Sequence, residues 1–135
     1  MTQTLIIFDL DDTLVNFKMR VPRQTYHMLN KFAKCDVLMG IISYNAMLHF
    51  VCNKTKLYRY TKHVYYGQDD RDVLFERCLT SILLCNSLEQ ENCLIYYVDD
   101  SLDNLENVQK RFPNVKTVHC SDMYNLYEMK HMINS

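Results

Sequence analysis

Three polar clusters carry the residue types that could do chemistry, and each one follows an apolar run. Asp9-Leu10-Asp11-Asp12-Thr13 comes after Thr4 to Phe8, Ser43-Tyr44-Asn45 after Val37 to Ile42, and Asp99-Asp100-Ser101-Leu102-Asp103-Asn104 after Cys93 to Val98. Carboxylates gathered at a buried strand end repel one another and lose hydration, so the group needs a compensating cation. Oxygen donors with no histidine among them select a hard divalent ion, magnesium rather than zinc. Taken singly, Ser43, Asn45, Ser101 and Asn104 read as helix caps or turn residues, and Asp12 and Asp103 as solvated or capping acids. The chemical case rests first on Asp9 and Asp11, which stand too close to an apolar run to be there without a partner.

Those clusters need a scaffold that brings them to one place. The runs Thr4 to Phe8, Val37 to Ile42, Val64 to Tyr66, Cys93 to Val98 and Val115 to His119 suit strands covered on both faces. Between them, Pro22 to about Lys34, Ala46 to about Leu57, Asp72 to Leu84, Leu102 to Phe112 and Met123 to Ile133 have helical spacing. Strand and helix in alternation predict an α/β fold, a mostly parallel sheet of about five strands with right-handed crossovers. In such a sheet ligands bind beyond the C-terminal strand ends, where all three clusters fall. The length of 135 residues predicts one domain, 1–135, with a core of its own.

Composition narrows the choice further. The chain has two glycines, Gly40 and Gly67, which excludes both the three-glycine dinucleotide fingerprint and the P-loop. Phosphate must then be held by side chains, metal or ordinary helix N-termini. A net charge of −1 argues against nucleic-acid binding through a global positive field. The six cysteines form no C-x-x-C pair or zinc-type cluster, Leu5 to Phe8 is too short for a signal-peptide core, and no run approaches a membrane span. The expectation is a soluble, reduced, cytoplasmic protein without membrane partners.

At the level of motifs the chain resembles the haloacid dehalogenase (HAD) superfamily of aspartate-nucleophile phosphotransferases. The first motif, D-x-D-x-T after a hydrophobic strand, stands as Asp9-Leu10-Asp11-Asp12-Thr13; the second matches Ser43; the fourth matches Asp99-Asp100 with Asn104. The resemblance spans about Leu5 to Leu105. It implies a Rossmann-like HAD fold and a magnesium-dependent phosphomonoester hydrolase, with Asp9 the nucleophile that forms an aspartyl-phosphate and Asp11 the general acid and base. Magnesium would be held by Asp9, the backbone carbonyl of Asp11, Asp100 as the main acidic ligand of the fourth motif, and Asp99 as a ligand or an acceptor behind it. Ser43 and Thr13 would bind the substrate phosphate, and Thr13 would also brace the loop by hydrogen bonding. The chemistry asks for this set independently, because a carboxylate can approach a doubly anionic phosphate monoester only when a cation neutralises part of the charge.

The chain departs from the family at its third motif, a basic residue that is usually Lys. Here Tyr65-Tyr66-Gly67-Gln68-Asp69-Asp70-Arg71-Asp72-Val73-Leu74-Phe75-Glu76 contains no Lys, and Arg71 stands four residues before Phe75, the distance found in magnesium-dependent phosphatases. Arg71 is expected to bind phosphate; Lys62 is the alternative, and absence of the residue would imply slow catalysis or a module that only binds a phosphorylated partner. Asp72 could pair with Arg71 on the surface. Both points where a cap domain could be inserted are short, so the chain resembles a capless member with an open site. The substrate expected there is phosphorylated and can be a macromolecule, a phosphoprotein included. Lys54, Lys56, Arg59, Lys62 and His63 interleave with Tyr58 and Tyr60, which keeps a nucleic-acid end phosphatase as a further alternative, although a solvated connector is the simpler explanation.

Overall fold

Each apolar run becomes a strand: β1 (Gln3–Asp9), β2 (Leu38–Ser43), β3 (Val64–Tyr66), β4 (Cys93–Asp99) and β5 (Lys116–His119). Helices α1 (Arg23–Lys34), α2 (Leu48–Lys54), α3 (Arg71–Cys85) and α4 (Leu102–Arg111) lie between them. The computed structural model describes residues 2–120. The helix expected at Met123 to Ile133 lies outside the described residues.

All neighbouring strands pair in parallel, in the order β3-β2-β1-β4-β5. Period-two alternation divides β1 between two cores. Ile6 and Phe8 face one side with Met28, Leu29 and Phe32 of α1 and Val51 of α2. Leu5 and Ile7 face the other with Leu74, Phe75 and Leu79 of α3 and Leu105 and Val108 of α4. A sheet buried on both faces explains why the strands read as continuous apolar runs rather than as alternating ones. Gly40 permits the close approach of α3 to β2, since a Cβ there would run into Cys78 Sγ and lie 3.1 Å from Ile82 Cδ1.

Two local differences from the sequence expectation have identifiable causes. Helix α2 is shorter than Ala46 to Leu57 because Asn45 Oδ1 accepts from the Met47 N–H at 2.8 Å, holding the entry as a turn. At its other end Lys56 adopts a left-handed conformation and the chain continues as a 3-10 turn, Leu57–Arg59. Helix α3 begins one residue earlier than expected and includes Arg71 as its first residue. No segment after β1 or β3 is long enough for a cap among the described residues: only Gly67 to Asp70 separates β3 from α3. No described helix is long and apolar enough to cross a membrane.

Candidate active site

The register of the central strands assembles the site. Phe8 is level with Val98 and Asp9 with Ile42, so the next residues along, Asp9, Ser43 and Asp99, finish three adjacent strands at one edge. The chain reverses its direction of travel across the sheet between β1 and β4, and the crevice outside such a reversal is where ligands bind in open α/β sheets.

Asp9 is 5% exposed and has a partner on each oxygen. The Thr13 hydroxyl donates to Oδ2 at 3.3 Å, and Arg71 Nη1 donates to Oδ1 at 3.3 Å. Thr13 is completely buried. That corrects its expected place among phosphate-binding groups, since its hydroxyl is spent on Asp9 and its bracing role is what the geometry retains. Asp9, Asp99 and Asp100 each bring a carboxylate oxygen to within 4.8 Å of the others, so this group could hold a metal ion. Burial, and then the Asp99 carboxylate, push the Asp9 pKa up to about 9 against the pull of Arg71, and the Asp100 carboxyl is also raised, by burial first. Burial and crowding disfavour the charged form of both carboxyls, and a cation among them would reverse that preference.

Behind this group Asp99 is completely buried and already engaged. Tyr97 Oη donates to its Oδ2, Asn104 Nδ2 donates to Oδ2 at 3.1 Å, and the Ser101 N–H donates to Oδ1 at 2.9 Å. Burial and the adjacent Asp99 raise the Tyr97 pKa well above its ordinary value, so the phenol remains a donor. Ser101 also caps α4 by accepting from the Asn104 N–H at 3.3 Å. Its capping reading is therefore correct, whereas Asn104 does more than cap.

On the other flank the Asp11 carboxylate is tied to the turn after β2. Ser43 Oγ donates to its Oδ2 at 3.4 Å and Asn45 Nδ2 donates to its Oδ1 at 3.2 Å, while Ser43 Oγ accepts from the Asn45 N–H at 2.9 Å.

Arg71 occupies the third-motif position. It is 4% exposed, donates to Asp9 and, at 3.4 Å, to the Ile42 carbonyl, and lies 3.9 Å from Asp99 Oδ2 through Nε. Burial opposes its charge, but Tyr97, Asp9 and Asp99 outweigh that and keep the guanidinium protonated. The alternative, Lys62, is exposed and precedes β3, at the opposite edge of the sheet. Nor does Asp72 pair with Arg71: it accepts from Arg111 at 3.3 Å and ties α3 to α4. The basic stretch Lys54 to His63 follows α2 toward the start of β3, so it too lies away from the Asp9 edge.

Three site residues escaped the sequence reading: Tyr97, Tyr44 and the side-chain amide of Asn45. Tyr97 precedes Asp99 by two, which puts both on one face of β4, and that spacing was the available signal.

No known family model matches the chain, and no curated protein matches it. Several solved structures are similar to it, including two that match most of its length. A 3-deoxy-D-manno-octulosonate 8-phosphate phosphatase from Moraxella catarrhalis, in complex with magnesium, phosphate and KDO, is 20% identical with a TM-score of 0.51, over 78% of this chain. This chain spans 62% of that protein's length. A protein from Streptomyces avermitilis described as a HAD family hydrolase is 18% identical with a TM-score of 0.56, over 93% of this chain and 71% of its own. The chain thus shares the α/β architecture of these two structures, the parallel sheet flanked by helices that the alternating runs led us to expect.

Proposed function

We propose that this chain is a phosphomonoester hydrolase of the HAD type, with Asp9 as nucleophile and magnesium as its cofactor. The observation that carries the proposal is the setting of Asp9, a buried carboxylate with a guanidinium on one oxygen, a hydroxyl on the other and two further carboxyls beside it. A carboxylate that served only the fold would not need that company. The likeness in fold to a magnesium-bound phosphatase supports the same reading.

Asp9 and Asp100, with the backbone carbonyl of Asp11, would hold the ion, and Asp99 would steady the set from behind. When bound, magnesium neutralises charge shared between the nucleophile and the phosphoryl oxygens. Arg71 and Ser43 orient the phosphoryl group so that one Asp9 oxygen attacks phosphorus in line with the leaving oxygen. The ester P–O bond breaks as Asp11 gives its proton to that oxygen. Water then attacks the aspartyl-phosphate, passes a proton to Asp11, and the bond from phosphorus to Asp9 breaks, restoring both carboxyls. The absence of a cap among the described residues supports a phosphoryl group carried on a large substrate such as a phosphoprotein.

The test is hydrolysis of para-nitrophenyl phosphate. Turnover should require magnesium, stop with excess chelator, and fall at least about a thousandfold in Asp9→Asn. Undiminished turnover in that variant would contradict the assignment.

A further inference from the structure

We infer that Tyr44 is a positioning residue that adapts this site to an arginine where the family pattern has a lysine. The inference rests on the phosphatase reading and deepens it.

The hydrogen bonds of Arg71 do not fix its guanidinium by themselves. Its two protein acceptors, Asp9 Oδ1 at 3.3 Å and the Ile42 carbonyl at 3.4 Å, are both at long range and both on Nη1. Nε is buried with no hydrogen bond, 3.9 Å from Asp99 Oδ2. Nη2 has no protein acceptor among the described residues, which leaves it to donate to a phosphoryl oxygen. Two bonds on one nitrogen allow the plane to swing about that nitrogen, carrying Nη2 with it.

The face of the guanidinium is covered instead. The Tyr44 ring lies over Arg71, with Cζ 4.1 Å from the ring centroid, within the range of a cation–π contact. Such a contact restrains the plane while leaving the edge donors free, which an ammonium, having no face, would not need. Tyr44 is itself held from both sides. Ser43 Oγ accepts from the Asn45 N–H at 2.9 Å, Asn45 Oδ1 accepts from the Met47 N–H at 2.8 Å, and both side chains anchor on Asp11. The ring is therefore delivered by the same rigid turn that presents Ser43. It is 39% exposed, so its removal leaves the cores intact.

Arg71 also begins α3, where the positive end of the helix disfavours a cation unless anions face it. Asp99 faces it at 3.9 Å from Nε, and a phosphoryl group would add negative charge there during turnover. The ring holds the cation in this place without adding charge.

The experiment compares kcat and KM for para-nitrophenyl phosphate, with magnesium, in the wild type, Tyr44→Phe, Tyr44→Ala, Arg71→Ala and the double Ala variant. Tyr44→Ala should lower kcat about tenfold with its melting temperature unchanged, and Tyr44→Phe, which keeps the ring, should recover most of the rate. In the Arg71→Ala background, Tyr44→Ala should cost less than about twofold more, because the group it positions is gone. Should Arg71→Ala fail to fold, Arg71→Gln takes its place in the cycle. An equal loss in both backgrounds, or an active Tyr44→Ala enzyme with unchanged kcat, overturns the inference. An inactive wild type would instead overturn the phosphatase reading beneath it.

Discussion

Asp99 shows how much of the site is devoted to holding a carboxylate still. Three donors, the Tyr97 hydroxyl, the Asn104 amide and the Ser101 N–H, converge on it in a setting with no exposure to water. Removing one should leave a buried acceptor short of a partner without creating a cavity. Tyr97→Phe should therefore cost about 1–3 kcal/mol in urea unfolding, with an unchanged m-value. A variant as stable as the wild type would show that this hydrogen bond contributes nothing net. Much of the site was legible at this scale. Asp9, Ser43, Asp99 and Asp100 are polar residues that end apolar runs, and a buried strand end is a place where such residues need a reason. Arg71 was legible only through its distance from Phe75. Tyr97 and Tyr44 were not legible as site residues, because a tyrosine in an apolar run or a turn reads as core or half-buried surface. What gives them roles is a partner from elsewhere in the chain, Arg71 for Tyr44, or a buried acid for Tyr97.

At the scale of elements, strand register does the assembling and helix packing fixes it. Strand β2 carries Ser43 to the end of β1 by its pairing register, and α3 packs close against the same strand, where a Cβ on Gly40 would meet Cys78 Sγ. Gly40→Ala should destabilise the protein by about 1–3 kcal/mol through overpacking against Cys78. Cys78→Ala should remove part of that penalty, so thermal unfolding of the double variant should show less loss than the sum of the singles. Strict additivity would mean that the two do not meet. The alternation of strands and helices was readable from the runs and the 3.6-residue spacing. The ends of α2 were less so, since the Asn45 turn and the left-handed Lys56 are set by local backbone choices that periodicity does not record.

For the whole molecule, the acidic edge should couple stability to pH and, on the proposed function, to magnesium. In the fold the Asp9 carboxyl titrates at about 9 rather than at its ordinary 3.8, so between those values the folded state retains a proton that the unfolded chain has lost. Metal-free protein should accordingly lose stability as pH rises through that window, while below it the contribution of this group is level. On the proposed function, magnesium would replace that proton. Its stabilising effect should grow with pH, and scanning calorimetry with and without the ion should show the two melting profiles diverging toward alkaline pH. Profiles that ran parallel would disconnect the carboxyl group from the metal.

The account stands most directly on phosphoryl transfer to Asp9. Asp11→Asn removes the group proposed to activate water, so an aspartyl-phosphate should accumulate when this variant meets para-nitrophenyl phosphate and magnesium. Acid quenching, proteolysis and mass spectrometry should then find the phosphoryl group on the peptide containing Asp9. A phosphoryl group on any other residue, or none while the wild type turns over, would contradict the account.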